Sequence, residues 1–255
     1  MSESDNGKTG KRADVLLMAL GRFPSRSAAR AAIEAGLVVA DGKPVRRASQ
    51  ILTAGMKIET APAHPYVSRG GVKLAAALDA FAVDPSGLRC LDLGASTGGF
   101  TDVLLQRGAA HVTAVDVGTG QFHPSLRGHD RITVLEQQDV RTLEARQLGG
   151  VPSLVVADLS FIGLEKALGP VLHLLDEGAQ LVALFKPQFQ VGPDHIGKGG
   201  LVRDGAAVAR AEMGFSDWLR EQSWSVKDWM DSPIRGGDGN AERLVHAVRR
   251  GDLRR

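Results

Sequence analysis

A strand, a glycine-rich turn and a helix follow one another in the middle of the chain, and no other feature constrains the fold as strongly. Leu88–Leu93 is an apolar run typical of a buried strand, Gly94–Gly99 reads G-A-S-T-G-G, and a helix is predicted to follow as far as Gln106. Such units bind ligands where the strand ends and the helix begins. The sequence therefore predicts an α/β fold with a ligand site at this turn.

Acidic residues stand at the ends of the first three predicted strands of this sheet. Asp92 belongs to the first strand, Asp116 follows His111–Val115, and Asp139 follows Ile132–Gln137. NAD and S-adenosylmethionine both bind at turns of this kind, but the turn lacks the G-x-G-x-x-G pattern of dinucleotide sites. Carboxylates repel a pyrophosphate, whereas they attract the amine and the sulfonium of S-adenosylmethionine. We therefore expect S-adenosylmethionine as the cofactor.

The residues expected to hold this cofactor lie in the turn and at the strand ends. They are Asp92, Gly94, Ala95, Ser96, Thr97, Gly98, Gly99, Phe100, Asp116, Val117, Asp139, Val140 and Asp158. A single aspartate at such a position is more often a helix cap or a turn residue, so the prediction depends on three strand ends together.

The second half of the chain adds four predicted strands. Ser153–Ala157 and Ala179–Phe185 predict the fourth and fifth, and Trp224–Trp229 and Leu244–Val248 predict the last two. The final strand is expected to run antiparallel to the others. Residues that follow the parallel strands and the residue that precedes the antiparallel one should then meet at one edge of the sheet.

Two lysines and two carboxylates are predicted to converge at that edge. Asp158 and Lys186 follow the fourth and fifth strands, Glu242 precedes the last, and Lys73 is expected to open a helix before the sheet. Such a set can activate a hydroxyl without a metal, and the dispersed histidines and single cysteine give no metal-site spacing. The hypothesis is that Lys186 takes or polarises the hydroxyl proton. The alternative is a pair of surface salt bridges.

Charge is unevenly distributed along the 255 residues. Residues 1–73 carry 12 Lys and Arg against 6 Asp and Glu, whereas residues 74–255 carry 19 against 23. A basic N-terminal segment on a mildly acidic body indicates a polyanionic partner, although a merely solvated basic face would look the same. Cys90 is the single cysteine, which excludes an internal disulfide and suits the cytoplasm. No signal peptide and no apolar run of about 18 residues is found, so no membrane span is expected.

The basic segment is predicted to be a small α+β unit. Arg12–Leu20 has helical periodicity, Ser25 is a candidate N-cap for a second helix that ends at Gly36, and Asp41-Gly42 is typical of a hairpin turn. The motifs R-x-D at Arg12 and S-R-x-x-A at Ser25, with the turn, resemble the S4 RNA-binding domain. A packing or dimerisation module is the alternative. The predicted RNA-binding residues are Arg12, Ser25, Arg26, Arg30, Lys43, Arg46, Arg47 and Arg69.

Five longer motifs resemble the TlyA family of ribosomal RNA 2′-O-methyltransferases. They are Asp92–Asp102, Ala114–Gln121, Phe185–Gly192, Lys198–Asp204 and Ser232–Glu242. The resemblance implies an N-terminal S4 domain followed by an FtsJ-like catalytic domain. That domain has the Rossmann-like class I methyltransferase fold, a seven-stranded, mostly parallel sheet with helices on both faces. The resemblance also implies that Lys73, Asp158, Lys186 and Glu242 form the catalytic tetrad.

The resemblance to the TlyA family also gives expectations for the domain bounds, the substrate and the oligomeric state. We expect a disordered tail over residues 1–10, the S4-like domain over 11–60, a linker over 61–68 and the methyltransferase domain over 69–255. The expected substrate is cytidine in 16S or 23S ribosomal RNA, or in both, bound as a ribosomal subunit by a monomer or weak dimer. A membrane-acting haemolysin, the label that many family members carry, and a non-catalytic RNA-binding protein are the alternatives. Thr119 and Arg243 stand where the family usually has aromatic residues.

Overall fold

The chain divides into two compact units, Met1–Pro65 and Tyr66–Arg255. The computed structural model describes residues 10–23, 25–34, 36–60 and 64–251. Of the predicted tail only Gly10 falls within these ranges, and residues 61–63 of the predicted linker fall outside them.

The first unit is a small α+β domain. Its elements are β1 (Lys11–Arg12), α1 (Ala13–Ala19), α2 (Arg26–Glu34), β2 (Val38–Ala40), β3 (Lys43–Pro44), β4 (Ile51–Leu52) and β5 (Ile58–Thr60). Strand β2 lies between β3 and β5, and β1 pairs with β4. Apolar residues of both helices and of strands β2, β4 and β5 form one core.

Local chemistry explains the boundaries of these elements. The Ser25 hydroxyl accepts a hydrogen bond from the Ala28 N–H at 3.2 Å, which caps α2 as its sequence predicts. Asp41 and Gly42 both have positive φ angles, 48° and 74°, so they form the tight turn between β2 and β3. The N-terminal fold predicted from the S4-like motifs is therefore confirmed.

The second unit is a layered α/β domain. Its elements are α3 (Arg69–Ala80), β6 (Arg89–Leu93), α4 (Gly99–Gln106), β7 (His111–Val115), β8 (Ile132–Leu135), β9 (Leu154–Ala157), α5 (Leu164–Leu172), β10 (Gln180–Phe185), α6 (Gly205–Glu221), β11 (Trp224–Asp231) and β12 (Arg243–Arg249).

Seven strands form one sheet in the order β11-β12-β10-β9-β6-β7-β8. All neighbours from β10 to β8 pair in parallel, and β12 runs antiparallel to both β10 and β11. Helices α5 and α6 pack on one face and α3 and α4 on the other, so each face has its own apolar core. The predicted mostly parallel, seven-stranded fold and its antiparallel final strand are confirmed.

The direction in which the chain adds strands reverses between β6 and β9. From β6 the chain builds outward through β7 and β8, then returns to place β9 on the other side of β6. The carboxyl ends of these two strands leave a crevice between their loops, and ligands of open α/β sheets bind at such reversal points. The fold thus places a ligand site next to Gly94 and Asp158.

Helix α3 begins earlier than the sequence predicts. It starts at Arg69, so Lys73 lies in its second turn instead of opening it. Gly70 and Gly71 favour a loop in the sequence, but both belong to the first turn of α3. A Cβ atom on Gly71 would lie 2.5 Å from the Cβ of Tyr66. Close packing against Tyr66 therefore explains the glycine at position 71.

Candidate active site

A cavity of about 810 Å³ opens at the reversal point between β6 and β9. Seven of the predicted cofactor residues line it: Gly94, Ser96, Asp116, Val117, Asp139, Val140 and Asp158. The other six do not: Asp92, Ala95, Thr97, Gly98, Gly99 and Phe100. Phe100 is buried in the apolar core beneath the turn. The volume suits a nucleoside-sized ligand.

Gly94 is required where the first strand enters the turn. Its φ angle is 81°, and a Cβ atom there would collide with the backbone carbonyl of Asp158. The turn after β6 and the end of β9 are therefore in direct contact. A glycine at this point lets the backbone approach a ligand in the cavity without a side chain between them.

Two of the predicted acids lie at the cavity wall and have partners within the protein. Asp116 accepts the Ser96 N–H at 2.8 Å and the Gly118 N–H at 2.7 Å, which also fixes the shape of the turn. Asp139 pairs with Arg141 at 2.6 Å, and the guanidinium lowers the pKa of Asp139 below its ordinary value. Asp139 thus faces the cavity together with a cation, which the sequence does not predict.

Asp92 lies beneath the turn and has no exposed surface. Its Oδ2 accepts the Thr101 hydroxyl at 2.6 Å, and its Oδ1 is buried without a hydrogen-bond partner. Burial raises the pKa of Asp92 to about 7. Asp92 does not line the cavity, so its contact with the cofactor stays a prediction. Its orphaned oxygen nevertheless leaves room for one more donor at this turn.

The four predicted catalytic residues form two lysine–carboxylate pairs. Lys73 Nζ lies 2.5 Å from Glu242 Oε2, and the two side chains are only 10% and 3% exposed. Lys186 Nζ lies 2.6 Å from Asp158 Oδ1, with exposures of 12% and 23%. Arg243, the first residue of β12, pairs with Phe185 at the end of β10, and this register brings Glu242 to the edge where Lys186 stands.

Lys186 has a second partner that the sequence did not single out. Its Nζ donates a hydrogen bond to the Ser160 hydroxyl at 2.9 Å. Asp158 Oδ1 forms the ion pair with Nζ and has no other partner among the described residues. A carboxylate oxygen has two lone pairs, so this oxygen can accept a further hydrogen bond. Pro187 ends β10 immediately after Lys186, which holds the lysine at the mouth of the sheet.

A second cavity of about 430 Å³ contains Lys186 and Glu242. Ser160, Phe161 and Phe189 line both cavities, so the two are neighbours along this loop. Phe161 is 92% exposed, has a positive φ of 65° and lies 5.2 Å from the Phe189 ring. An exposed aromatic ring in a strained conformation next to ionisable groups is typical of a functional position. The only sequence signal is its place three residues after Asp158.

The predicted RNA-binding residues fall into three groups. Arg12, Arg26 and Arg30 surround one buried carboxylate in the first unit, whereas Ser25 caps a helix. The exposed basic residues of the hairpin region are Lys43, Arg46 and Arg47. Arg69 belongs to the second unit, where it begins α3 near Gly237.

The two departures from the family pattern have different structural settings. Thr119 is exposed and lines neither cavity. Arg243 pairs with Glu212 at 2.6 Å and with Asp231 at 3.1 Å, and its guanidinium lies 5.5 Å from the Trp229 ring centre. It therefore links β12 to α6 and β11, which makes its role in this unit one of packing.

The described ranges hold neither a cluster suited to a metal ion nor a helix suited to span a membrane. No group of three or more His, Cys, Asp and Glu residues there has an arrangement that holds a metal ion. Within the same ranges no helix has both the length and the apolar character to cross a membrane.

The fold and its site define a methyltransferase. The FtsJ-like methyltransferase family model matches residues 66–249, and the S4 domain model matches residues 11–58. A protein from Mycobacterium tuberculosis named 16S/23S rRNA (cytidine-2′-O)-methyltransferase TlyA is 44% identical over 92% of this chain and 88% of its own length. The chain belongs to the TlyA family of FtsJ-like methyltransferases.

Two other relatives cover most of the chain. The Campylobacter jejuni protein named 23S rRNA (cytidine-2′-O)-methyltransferase TlyA is 35% identical over 78% of this chain and 77% of its own length. A solved structure of a candidate hemolysin from Streptococcus thermophilus is 38% identical, with a TM-score of 0.74, and covers 96% of this chain and 91% of that one.

Proposed function

We propose that this protein transfers a methyl group from S-adenosylmethionine to the 2′-hydroxyl of cytidine in ribosomal RNA of the small subunit, the large subunit or both. The observation that carries the proposal is the pair of lysine–carboxylate contacts at the edge of the ligand cavity. The names of the two TlyA relatives support the substrate. A ribosomal substrate would place the enzyme in the cytoplasm.

The residues of the first cavity suit S-adenosylmethionine. Gly94 leaves space for the ligand, and the carboxylates of Asp116, Asp139 and Asp158 suit its amine, hydroxyls and sulfonium. The buried Asp92 Oδ1 supplies a further acceptor below the turn. When bound, S-adenosylmethionine supplies an electrophilic methyl group.

The lysine–carboxylate pairs would handle the proton of the ribose hydroxyl. One proton leaves the hydroxyl for each methyl group that the ribose accepts. Lys186 stands in the second cavity, held by Asp158 and Ser160, and can orient and polarise the hydroxyl. Asp158 Oδ1, beside Lys186 Nζ, can accept the proton that leaves the hydroxyl. The more deeply buried Lys73–Glu242 pair holds Glu242 in the wall of the same cavity, and positioning contributes much of the rate.

Phe161 gives the nucleotide base a surface to stack on. Its exposed ring stands where the two cavities meet, and aromatic stacking holds splayed-out bases in single-stranded or looped RNA. This role supports a substrate presented as a nucleotide turned out of its RNA helix.

Substitution of Lys186 tests the function directly. Lys186→Ala is expected to reduce tritiated methyl transfer to purified ribosomal subunits by about a hundredfold or more. Lys227→Ala is the matched control, because Lys227 is exposed on β11 and lines neither cavity. Calorimetric affinity for S-adenosylmethionine should be unchanged in both variants. Wild-type incorporation by Lys186→Ala would contradict the assignment.

The two alternatives predict other outcomes. A membrane-acting haemolysin would lyse cells equally well with Lys186→Ala, and a non-catalytic RNA-binding protein would have no measurable affinity for S-adenosylmethionine. Mapping 2′-O-methyl groups in ribosomal RNA from a deletion strain would identify the nucleotide and the subunit.

A further inference from the structure

Asp14 is a buried carboxylate surrounded by arginines on the first unit. Its side chain is 0% exposed, and it lies in the first turn of α1. Arg12 and Asp14 are neighbours in the chain, whereas Arg26 and Arg30 come from α2. We call Arg12, Arg26 and Arg30 the arginine cluster. A carboxylate with no exposed surface cannot itself contact a partner, so its function must act through these neighbours.

The contacts show that Asp14 orients the cluster. Arg12 Nε donates to Asp14 Oδ1 at 3.0 Å and its Nη2 to Oδ2 at 3.3 Å. Arg26 Nη2 donates to Oδ2 at 2.9 Å, and Arg30 Nη2 approaches the same oxygen at 4.0 Å. The Val15 N–H occupies Oδ1 as well, at 3.1 Å. Both oxygens of Asp14 are thus engaged within the protein.

Most of the cluster's hydrogen-bonding capacity remains free of Asp14. A guanidinium has about five N–H donors in a planar fork. Asp14 takes two from Arg12, one from Arg26 and none within hydrogen-bond distance from Arg30. The three side chains are 44%, 53% and 55% exposed. Their outer edges can therefore bind an external anion.

The cluster also has an excess of positive charge. Three guanidinium groups surround one carboxylate, so two positive charges are uncompensated within the part of the chain that the structure describes. Arg26 is moreover the first residue of α2, where the helix dipole disfavours a cation. An arrangement that served only stability would not gather like charges in this way, whereas a phosphate outside the cluster would neutralise them.

We propose that Asp14 is a positioning residue that holds Arg12, Arg26 and Arg30 as one binding site for phosphates of the RNA backbone. The inference rests on the proposed function, because RNA is the partner. The inference adds that the buried carboxylate of Asp14, although it is an anion, strengthens the binding of a phosphate. Asp14 achieves this by fixing the direction of three flexible cations, which reduces the entropy lost when RNA binds.

Asp14→Asn tests the proposal because two explanations predict opposite signs. The substitution adds one positive charge to the protein, so simple electrostatics predicts tighter binding to RNA. If Asp14 orients the cluster, binding to purified ribosomal subunits should instead weaken by about tenfold. The slope of log affinity against log salt should also become shallower by about one phosphate contact. Filter binding at several KCl concentrations measures both.

Glu59→Gln is the matched control. It makes the same change of charge in the same unit, where Glu59 pairs with Lys57 at 2.6 Å and both side chains are exposed, 56% and 80%. It should bind subunits as tightly as the wild type or more tightly. If Asp14→Asn binds like Glu59→Gln, the proposal is overturned, provided that its thermal unfolding shows a folded first unit.

A double-mutant cycle decides the case if Asp14→Asn does not fold. Arg12→Ala, Arg26→Ala and the double variant all retain Asp14. If the arginines act as one site, their effects on subunit affinity should fail to add by at least about threefold. Additive effects would overturn the proposal. If the wild type neither binds nor methylates subunits, the proposed function fails. If it does both and only these variants disagree, this inference alone fails.

Discussion

Of the ion pairs in the described part of the second unit, Lys73–Glu242 is the most deeply buried. Removal of one member of such a pair leaves the other charge buried without compensation. We predict that Lys73→Met lowers the free energy of unfolding by about 3 kcal/mol or more. Urea unfolding measures the change. A loss below about 1 kcal/mol would show that water reaches Glu242 and that the pair is solvated.

Asp92 makes the stability of the folded protein depend on pH, with a sign that is unusual for a carboxylate. Burial raises its folded pKa from 3.8 to about 7, so between these pH values the folded protein binds more protons than the unfolded chain. This group's contribution to stability is therefore lost as pH rises from about 4 to 7.

Asp92→Asn should remove that dependence. The variant is expected to gain stability relative to the wild type as pH rises, by up to about 4 kcal/mol at pH 8, with no gain at pH 4. Urea unfolding of both proteins across this range measures the difference. All other carboxylates are present in both proteins, so their contributions to the pH dependence cancel in the difference. A constant difference from pH 4 to pH 8 would contradict the raised pKa of Asp92.

Which residues belong to the candidate site could be predicted better than the contacts that these residues make. Asp158 and Lys186 could be assigned to one edge because each follows a recognisable apolar strand. The pairing of Lys73 with Glu242 could not, because the two are 169 residues apart and Gly70 and Gly71 obscure the start of α3. The exposure of Phe161 was equally hidden, since its φ angle depends on the loop that holds it.

At the scale of elements, the turn after β6 is the most restricted segment. We predict that Gly94→Ala abolishes binding of S-adenosylmethionine, because its φ is positive and its Cβ would collide with the Asp158 carbonyl. Calorimetry measures the affinity. Gly178→Ala is the control, because Gly178 has a φ of 77° but open space around it. The Gly178→Ala substitution should lower the free energy of unfolding by about 1–2 kcal/mol through backbone strain alone. It should leave the binding of S-adenosylmethionine unchanged.

The outcome of this comparison separates two effects of the substitution. If both variants lose binding equally, backbone strain and not the collision explains the loss. If Gly94→Ala binds like the wild type, the turn is not part of the cofactor site.

Element boundaries followed from the sequence where caps or periodicity mark them. Ser25 and the Asp41-Gly42 turn mark boundaries in the first unit, and β10 ends at Phe185 as its pattern predicts. Strand β11 runs to Asp231, two residues beyond the predicted end. Its last residues pair with β12 and its Trp229 packs against Arg243, and neither interaction has a local signal.

At the scale of the whole molecule, the two units divide the predicted residues by function. All the candidate catalytic and cofactor residues lie in Tyr66–Arg255, and of the predicted RNA-binding residues only Arg69 does. We predict that a protein of residues 66–255 binds S-adenosylmethionine as tightly as the full chain does. It should bind ribosomal subunits at least about tenfold more weakly, because phosphate contacts dominate affinity.

Calorimetry and filter binding on the two proteins measure these affinities. Unchanged subunit binding by the shorter protein would show that its own basic residues suffice. The excess of basic residues lies in residues 1–73, and Arg69 and Lys73 of that segment belong to the second unit.

The antiparallel strand β12 determines when the candidate site can form. It lies between β10 and β11 in the sheet, and β11 has no other strand neighbour in the described ranges. During synthesis β11 can therefore join the sheet only after β12 has been made. Glu242 reaches Lys73 only when that pairing forms. A partly synthesised chain that ends before Glu242 lacks the partner of Lys73, so the proposed catalytic site is complete only after β12 has left the ribosome.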